Sequence, residues 1–187
     1  MSSRQYIILG HTALGICLLF CTLISPGYFL SLDQGGVSNY GTDSATRNLF
    51  TIGFASAAVG AALAGLALKG AKAKAQALRP PLYALSLLYI FVMLSTFSYK
   101  ISPAYYQLHV WSAIFLFLYM LVFASSLYSR SSKSSTDRQS FLAFLIGLIV
   151  ATLAFTNVVH FLSTAQIICG ISFAVLLAHS LPGKAKR

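Results

Sequence analysis

The apolar positions of this chain form long uninterrupted blocks, and the polar positions collect in short segments between them. A helix that crosses a bilayer needs roughly 20 largely apolar residues at about 1.5 Å each. The last block, 141–181, would be about 60 Å long as one helix, twice the thickness of a bilayer core. A polar patch that begins at Asn157 therefore predicts a turn between two short helices. The pattern predicts six spans, at about 6–30, 49–68, 81–99, 108–128, 141–157 and 163–181.

Prolines mark the ends of several predicted spans. Pro26 lies near the end of span one, Pro80 and Pro81 open span three, and Pro103 separates spans three and four. Proline is tolerated in a first helical turn, where its missing N–H has no intrahelical partner. We therefore expect an all-α fold, a single membrane domain over 1–187 with one substantial outer loop at 31–48.

Composition narrows the class of protein. The chain has 187 residues, of which 57% are hydrophobic and 9% are charged, with a formal net charge of +10. Soluble domains average about 45–50% apolar and about 25% charged residues. Long charge-free runs also exclude a nucleic-acid-binding protein, which needs its basic residues on one water-facing surface. A polytopic membrane protein is the class that remains.

The basic residues predict the orientation of the spans. Two of the 13 Lys and Arg residues, Arg47 and Lys100, fall on one side. The other side holds Arg4, Lys69, Lys72, Lys74, Arg79, Arg130, Lys133, Arg138, Lys184, Lys186 and Arg187. Because cytoplasmic loops are enriched in Lys and Arg, both termini are predicted to be cytoplasmic, in an inner or plasma membrane. Span one is longer than the apolar region of a signal peptide, so we expect it to be retained.

Span two carries small residues at helical spacing. They are Gly53, Ser56, Ala57, Gly60 and Ala64. Small residues on one face let two helices approach closely in a membrane. The face is interpreted either as packing within the bundle or as a homodimer surface.

Two further groups have two interpretations each. The basic residues Lys69, Lys72, Lys74 and Arg79 could contact anionic lipid or simply set the topology. The three cysteines, Cys17, Cys21 and Cys169, all fall inside spans, which favours small packing residues over a metal or redox site. No cofactor is predicted.

Candidate binding residues concentrate on the outer side. Ionisable and polar residues at the membrane boundary are functional candidates, although a histidine there often only bonds a carbonyl or water. The candidates are Asp33, Ser38, Asn39, Asp43, Arg47, His109 and His160. The other two histidines, His11 and His179, fall near the cytoplasmic side.

Part of this set resembles a known family. The run Ser38-Asn39-Tyr40-Gly41-Thr42, followed by Leu49-Phe50 and Gly53, resembles the Ser-acid-x-Gly-Thr…Leu-Phe…Gly signature of the DRAM/Frag/Sfk-type six-helix membrane proteins. It is also similar to their prokaryotic relatives, domain-of-unknown-function family 998. His109 with Ala113 and Phe117 is a second match, and His160 with Ser163 is a third. The resemblance implies a role in membrane-lipid handling.

The chain also departs from that signature. Asn39 stands where the signature has an acid, and Gln166 stands where some relatives carry an acid early in span six. If those acids take part in chemistry in the family, the chemistry is altered or lost in this chain.

Four functions from different classes follow. The first is a non-enzymatic protein that binds or organises membrane lipid through a polar cap of Asp33, Asp43, Arg47 and His109. The second is a lipid hydrolase, with a metal held by Asp and His or with Ser38 as nucleophile near His109. The third is a small-solute transporter. The fourth is a haem-binding electron-transfer protein, suggested by two histidines near each face.

Overall fold

The computed structural model of the chain describes residues 1–30, 36–98, 100–131, 133–156 and 161–183. Helix accounts for 84% of it, and the described residues contain no strand. Six long helices follow one another: α1 (Ser3–Ile24), α2 (Arg47–Ala67), α3 (Arg79–Thr96), α4 (Pro103–Arg130), α5 (Ser135–Phe155) and α6 (Leu162–Ser180). All six are long and apolar enough to cross a membrane, which indicates an integral membrane protein. The predicted all-α fold with six such helices is confirmed.

Three helix ends differ from the sequence prediction by five residues or more. α1 ends at Ile24 rather than near residue 30, because the residue before Pro26 is disfavoured in helical geometry. α4 begins at Pro103 rather than 108, with the Ser102 side chain accepting from the backbone N–H of Tyr105. α5 begins at Ser135 rather than 141, with Ser134 as its cap. Side-chain caps, which a hydropathy window does not detect, explain both early starts.

Five of the helices close into a ring. α1 packs against α2 and α6, α2 against α3, α3 against α4, and α4 against α6. α5 lies outside the ring, against α6 and α4. We call the end of the bundle that carries residues 36–46 the loop end, and the opposite end, where α1 begins and α6 finishes, the terminal end.

Glycines bring α1 and α2 into backbone contact. A Cβ atom at Gly60 would lie 2.8 Å from the carbonyl oxygen of Tyr6, and one at Gly10 would lie 2.7 Å from that of Ser56. Four of the small residues singled out on α2 are buried: Gly53, Ala57, Gly60 and Ala64. The structure thus places this small-residue face against α1 of the same chain.

Some predicted features lie outside the described residues. They are Asp33, Asn157, His160, Lys184, Lys186 and Arg187. The turn predicted in the polar patch falls between Phe155, where α5 ends, and Leu162, where α6 begins.

Candidate functional site

A buried imidazole at the loop end connects three segments of the chain. His109, two turns into α4, is 6% exposed. Its Nε2 lies 2.8 Å from Ser38 Oγ in the short 3₁₀ turn Gly36–Ser38. Its Nδ1 lies 3.1 Å from Ser95 Oγ and 3.5 Å from Thr96 Oγ1, both in the last turn of α3. Both ring nitrogens of His109 are therefore held by hydroxyl groups.

The hydroxyl groups indicate which nitrogen of His109 carries the proton. Ser112 donates to the carbonyl of His109 at 2.7 Å. Ser95 has one hydrogen, and its Oγ contacts the carbonyl of Val92, which only accepts, and Ser112 Oγ at 2.8 Å. Ser95 can make one of these bonds as donor while accepting from Nδ1–H. Nε2 is then the acceptor, and Ser38 donates to it.

The loop-end segment is seated on α6 and α3. The backbone N–H of Val37 donates to Gln166 Oε1 at 2.9 Å. Gly36 has φ +54°, and a Cβ there would collide with the same Gln166 oxygen, so glycine is favoured both by conformation and by space. A Cβ at Gly41 would lie 2.5 Å from Thr96 Cγ2. These contacts hold the segment against α6 and α3.

Polar groups within the loop-end segment are also hydrogen-bonded. Asn39 and Tyr40 are fully buried. The Tyr40 hydroxyl lies 3.1 Å from Thr22 Oγ1 of α1, and Thr46 Oγ1 donates to the Tyr40 carbonyl at 2.8 Å. Burial raises the pKa of Tyr40, so this hydroxyl stays protonated. Thr46 therefore fixes the loop rather than capping α2 with its side chain.

Asp43 and Arg47 form a separate, more accessible group. The Asp43 carboxylate accepts from Ser25 Oγ at 2.7 Å and from the backbone N–H of Ala45 at 3.0 Å. These two bonds, that from Ser25 foremost, hold the pKa of Asp43 below its usual value. Arg47 donates to the Thr42 carbonyl at 3.3 Å. The described residues expected in one polar cap are thus divided, because His109 is buried beside Ser38 whereas Asp43 and Arg47 lie at the surface.

An apolar cavity of about 700 Å³ lies below Ser38, in the middle of the ring. Its walls come from α1, α4 and α6, with further residues from α2 and α3. Gly15 and Gly170 line it, and a Cβ on either would meet nothing within 4 Å. The lining residues Ile16 and Ile171 are 50% and 57% exposed, so the cavity opens sideways between α1 and α6. Six polar side chains also line it: His11, Thr12, Thr22, Ser38, Tyr89 and Gln166.

Few side chains in the described part of the chain are arranged to bind a metal ion or to take part in redox chemistry. Among the described residues, no cluster of three or more His, Cys, Asp or Glu side chains could hold a metal ion. Cys17, Cys21 and Cys169 are free thiols, all buried. His11 is bonded to the Ile7 carbonyl and to the Tyr89 hydroxyl, at 3.0 and 3.1 Å.

The four basic candidates at the terminal end have different surroundings. Arg79 donates to the Gly65 carbonyl at 3.2 Å and lies over the Tyr83 ring, with 6.0 Å from Cζ to the ring centroid. Lys69, Lys72 and Lys74 are all exposed, and Lys72 and Lys74 also line a cavity at this end. The set is therefore not one uniform patch.

Sequence reasoning missed Ser95 and the role of Gln166. Ser95 is one of many serines, and its proximity to His109 depends on how α3 and α4 pack. A partial signal existed for Ser112, because a residue three positions after His109 shares its helix face. Gln166 was noted only as a replacement for an acid, and its bond to the Val37 backbone depends on the fold of the loop.

The fold and the cavity define a class: a six-helix membrane-type bundle with a laterally open apolar cavity under a polar loop. No family model, curated protein or solved structure matches the chain. The resemblance to the DRAM/Frag/Sfk-type proteins therefore rests on the motif residues alone.

Proposed function

We propose that this chain is an integral membrane protein that binds a membrane lipid in its central cavity. The observation that carries the proposal is the 700 Å³ apolar cavity that opens sideways between α1 and α6. Ligand cavities are typically about 300–1,000 Å³, mostly apolar, with a few placed polar groups. A lateral opening at the depth of the apolar helices gives access to acyl chains rather than to water-borne solutes.

The polar groups of the cavity suggest how a lipid would be oriented. Ser38, Thr22 and Gln166 lie at the loop end. Their hydroxyl and amide groups could bond the ester or headgroup oxygens of a lipid, while the acyl chain runs between Gly15 and Gly170. Lipid binding at this place would agree with the role in lipid homeostasis that the family resemblance implies.

The proposal includes a membrane orientation. We place the loop end outside and the terminal end in the cytoplasm, because the basic residues are far more numerous at the terminal end. Under this orientation the end of the cavity that carries Ser38, Thr22 and Gln166 lies on the outer side of an inner or plasma membrane.

The experiment is lipid retention by the purified protein, measured by native mass spectrometry. Gly170→Leu fills the cavity without striking any atom near its Cβ, and should abolish retention of a phospholipid that the unchanged protein carries. Thr152→Leu is the control, since it introduces the same leucine side chain at an exposed position on α5 that does not line the cavity. Equal retention by all three proteins would contradict lipid binding in the cavity.

A second candidate function is lipid-ester hydrolysis, favoured by the 2.8 Å contact between Ser38 Oγ and His109 Nε2. A nucleophile beside a base that is itself oriented by a third group is the arrangement used for covalent catalysis. Ser38 Oγ would attack the ester carbonyl as its proton passes to His109. The bond to the alcohol oxygen then breaks, and that oxygen takes the proton. Water would release the acyl group from Ser38 by the same route.

A fluorophosphonate probe separates this candidate from simple binding. Hydrolysis predicts covalent labelling of the unchanged protein and of the exposed-serine control Ser125→Ala, with no labelling of Ser38→Ala. An unlabelled unchanged protein would exclude a reactive Ser38 and leave lipid binding as the function.

A further inference from the structure

A second cavity, of about 410 Å³, lies at the terminal end. Four segments build it: the helical turn Ala73–Gln76, the last turn of α4, the first turn of α5 and the last turn of α6. They come from three separate regions of the sequence, at 72–78, 127–137 and 179–182, so the cavity is a product of the bundle and not of one basic run.

The walls of this cavity are cationic. Lys72 and Lys74 come from the turn before α3, and Arg130 comes from the end of α4. The single acid among the described residues that line it, Asp137, is 5% exposed, and its Oδ1 lies 3.3 Å from Nδ1 of His179. His179 is hydrogen-bonded to that carboxylate. Because three cationic side chains and one acid line the cavity, the net charge presented to a ligand is positive.

The floor of the cavity is apolar. Leu78, Leu127 and Leu181 line it and are 7%, 2% and 3% exposed. A simple inorganic anion gains nothing from such a floor, whereas an anion that carries alkyl groups can bury them there. Lys and Arg side chains supply charge-assisted hydrogen bonds to phosphate oxygens, and Arg can do so with two parallel bonds.

We infer that the cavity lined by Lys72, Lys74 and Arg130 is a binding site for a phosphate ester, with the headgroup of an anionic phospholipid as its main source. The site lies where the apolar helices end, which is the level of lipid phosphates in a membrane. It is independent of the central cavity, and lipid could bind at either place without the other.

The test compares two triple variants of the full chain. Lys72→Gln/Lys74→Gln/Arg130→Gln removes the cavity cations. Lys69→Gln/Lys133→Gln/Arg138→Gln removes the same charge from the same end, at positions that are exposed like the cavity cations but do not line the cavity. Binding of phosphatidylglycerol and of phosphatidylcholine with identical acyl chains is titrated by native mass spectrometry, and circular dichroism checks the helix content.

The cavity variant should bind phosphatidylglycerol at least about tenfold more weakly, since it loses together the charge-assisted hydrogen bonds that hold the phosphate in the cavity. The control variant should change less than about threefold, and phosphatidylcholine binding should not depend on either set. Equal weakening by both variants, or none by the cavity variant, would overturn the inference.

Two further measurements identify the source of the phosphate and the place of binding. Glycerol 3-phosphate that displaces phosphatidylglycerol from the unchanged protein would make a soluble ester the ligand of the same site, and failure to displace it supports the lipid. Gly170→Leu should leave the preference for phosphatidylglycerol intact. Loss of that preference would place it in the central cavity and overturn the inference.

Discussion

The imidazole Nε2 of His109 lies 2.8 Å from Ser38 Oγ, although 71 positions separate the two residues in the chain. This contact fastens the loop to α4, and the Nδ1 contact with Ser95 fastens α4 to α3. The polar groups are buried together, so each depends on its partner for a hydrogen bond. Ser38, one member of this contact, also lines the central cavity.

Removing the imidazole should destabilise the loop end. His109→Ala leaves the hydroxyls of Ser38 and Ser95 without this partner in a buried place, at a cost of about 1–3 kcal/mol. The thermal midpoint in detergent should fall accordingly. Gln107→Ala, at an exposed position on the same helix, should leave it almost unchanged. A His109→Ala midpoint equal to that of the control would contradict a structural role for the pair.

Two glycine-to-alanine changes test the contact between α1 and α2. Gly60→Ala places a methyl group 2.8 Å from the Tyr6 carbonyl oxygen, and such overpacking costs roughly 1–3 kcal/mol. Gly15→Ala on α1 meets nothing within 4 Å and should be neutral or stabilising, because alanine favours helix by about 1 kcal/mol. Thermal melts of both variants give the comparison, and equal effects would refute the close approach.

The carboxylate of Asp43 should make stability depend on pH in the acid range. Its pKa is lowered from the ordinary 3.8, so its contribution is complete at neutral pH and is lost as the pH falls through the lowered value. The Asp43→Asn variant keeps the shape of the side chain but removes its negative charge. The unchanged protein should melt higher than the variant at pH 7, and the difference should vanish well below pH 4. A difference that is constant from pH 7 to pH 3 would rule out this linkage.

The proposed orientation can be checked with single cysteines and a membrane-impermeant maleimide. Ser44 lies at the loop end and Lys133 between α4 and α5, both exposed, whereas the native thiols are buried. Ser44→Cys should react in intact cells and Lys133→Cys only after permeabilisation. The reverse pattern would invert the orientation.

The apolar blocks were sufficient to predict six helices, because a bilayer-length run has few alternatives to helix. The ends of the helices were harder to predict from the sequence. The end of α1 follows from Pro26 and its preceding residue, which act locally, but the starts of α4 and α5 depend on single serine caps. A window that averages over some twenty residues does not resolve such caps.

Residues of the candidate site could be predicted only where their residue type is rare in the chain or where they belong to a motif. Histidines are few, so His109 stood out, and the motif around Gly41 directed attention to Ser38. Ser95 and Gln166 could not be chosen from sequence, because ordinary polar residues acquire their role only when helices meet. The cavity itself has no sequence signal, since it results from small residues such as Gly15 and Gly170 on helices that do not fill the centre.

The most direct measurement is photo-crosslinking of the detergent-purified protein with a phospholipid that carries a diazirine in its acyl chain. Met120 lines the cavity and is 2% exposed, whereas Val122 on the same helix faces outward and is 70% exposed. We expect mapped crosslinks at Met120 and its cavity neighbours, and their loss in Gly170→Leu. Crosslinks confined to outward-facing positions such as Val122 would contradict a lipid site inside the bundle.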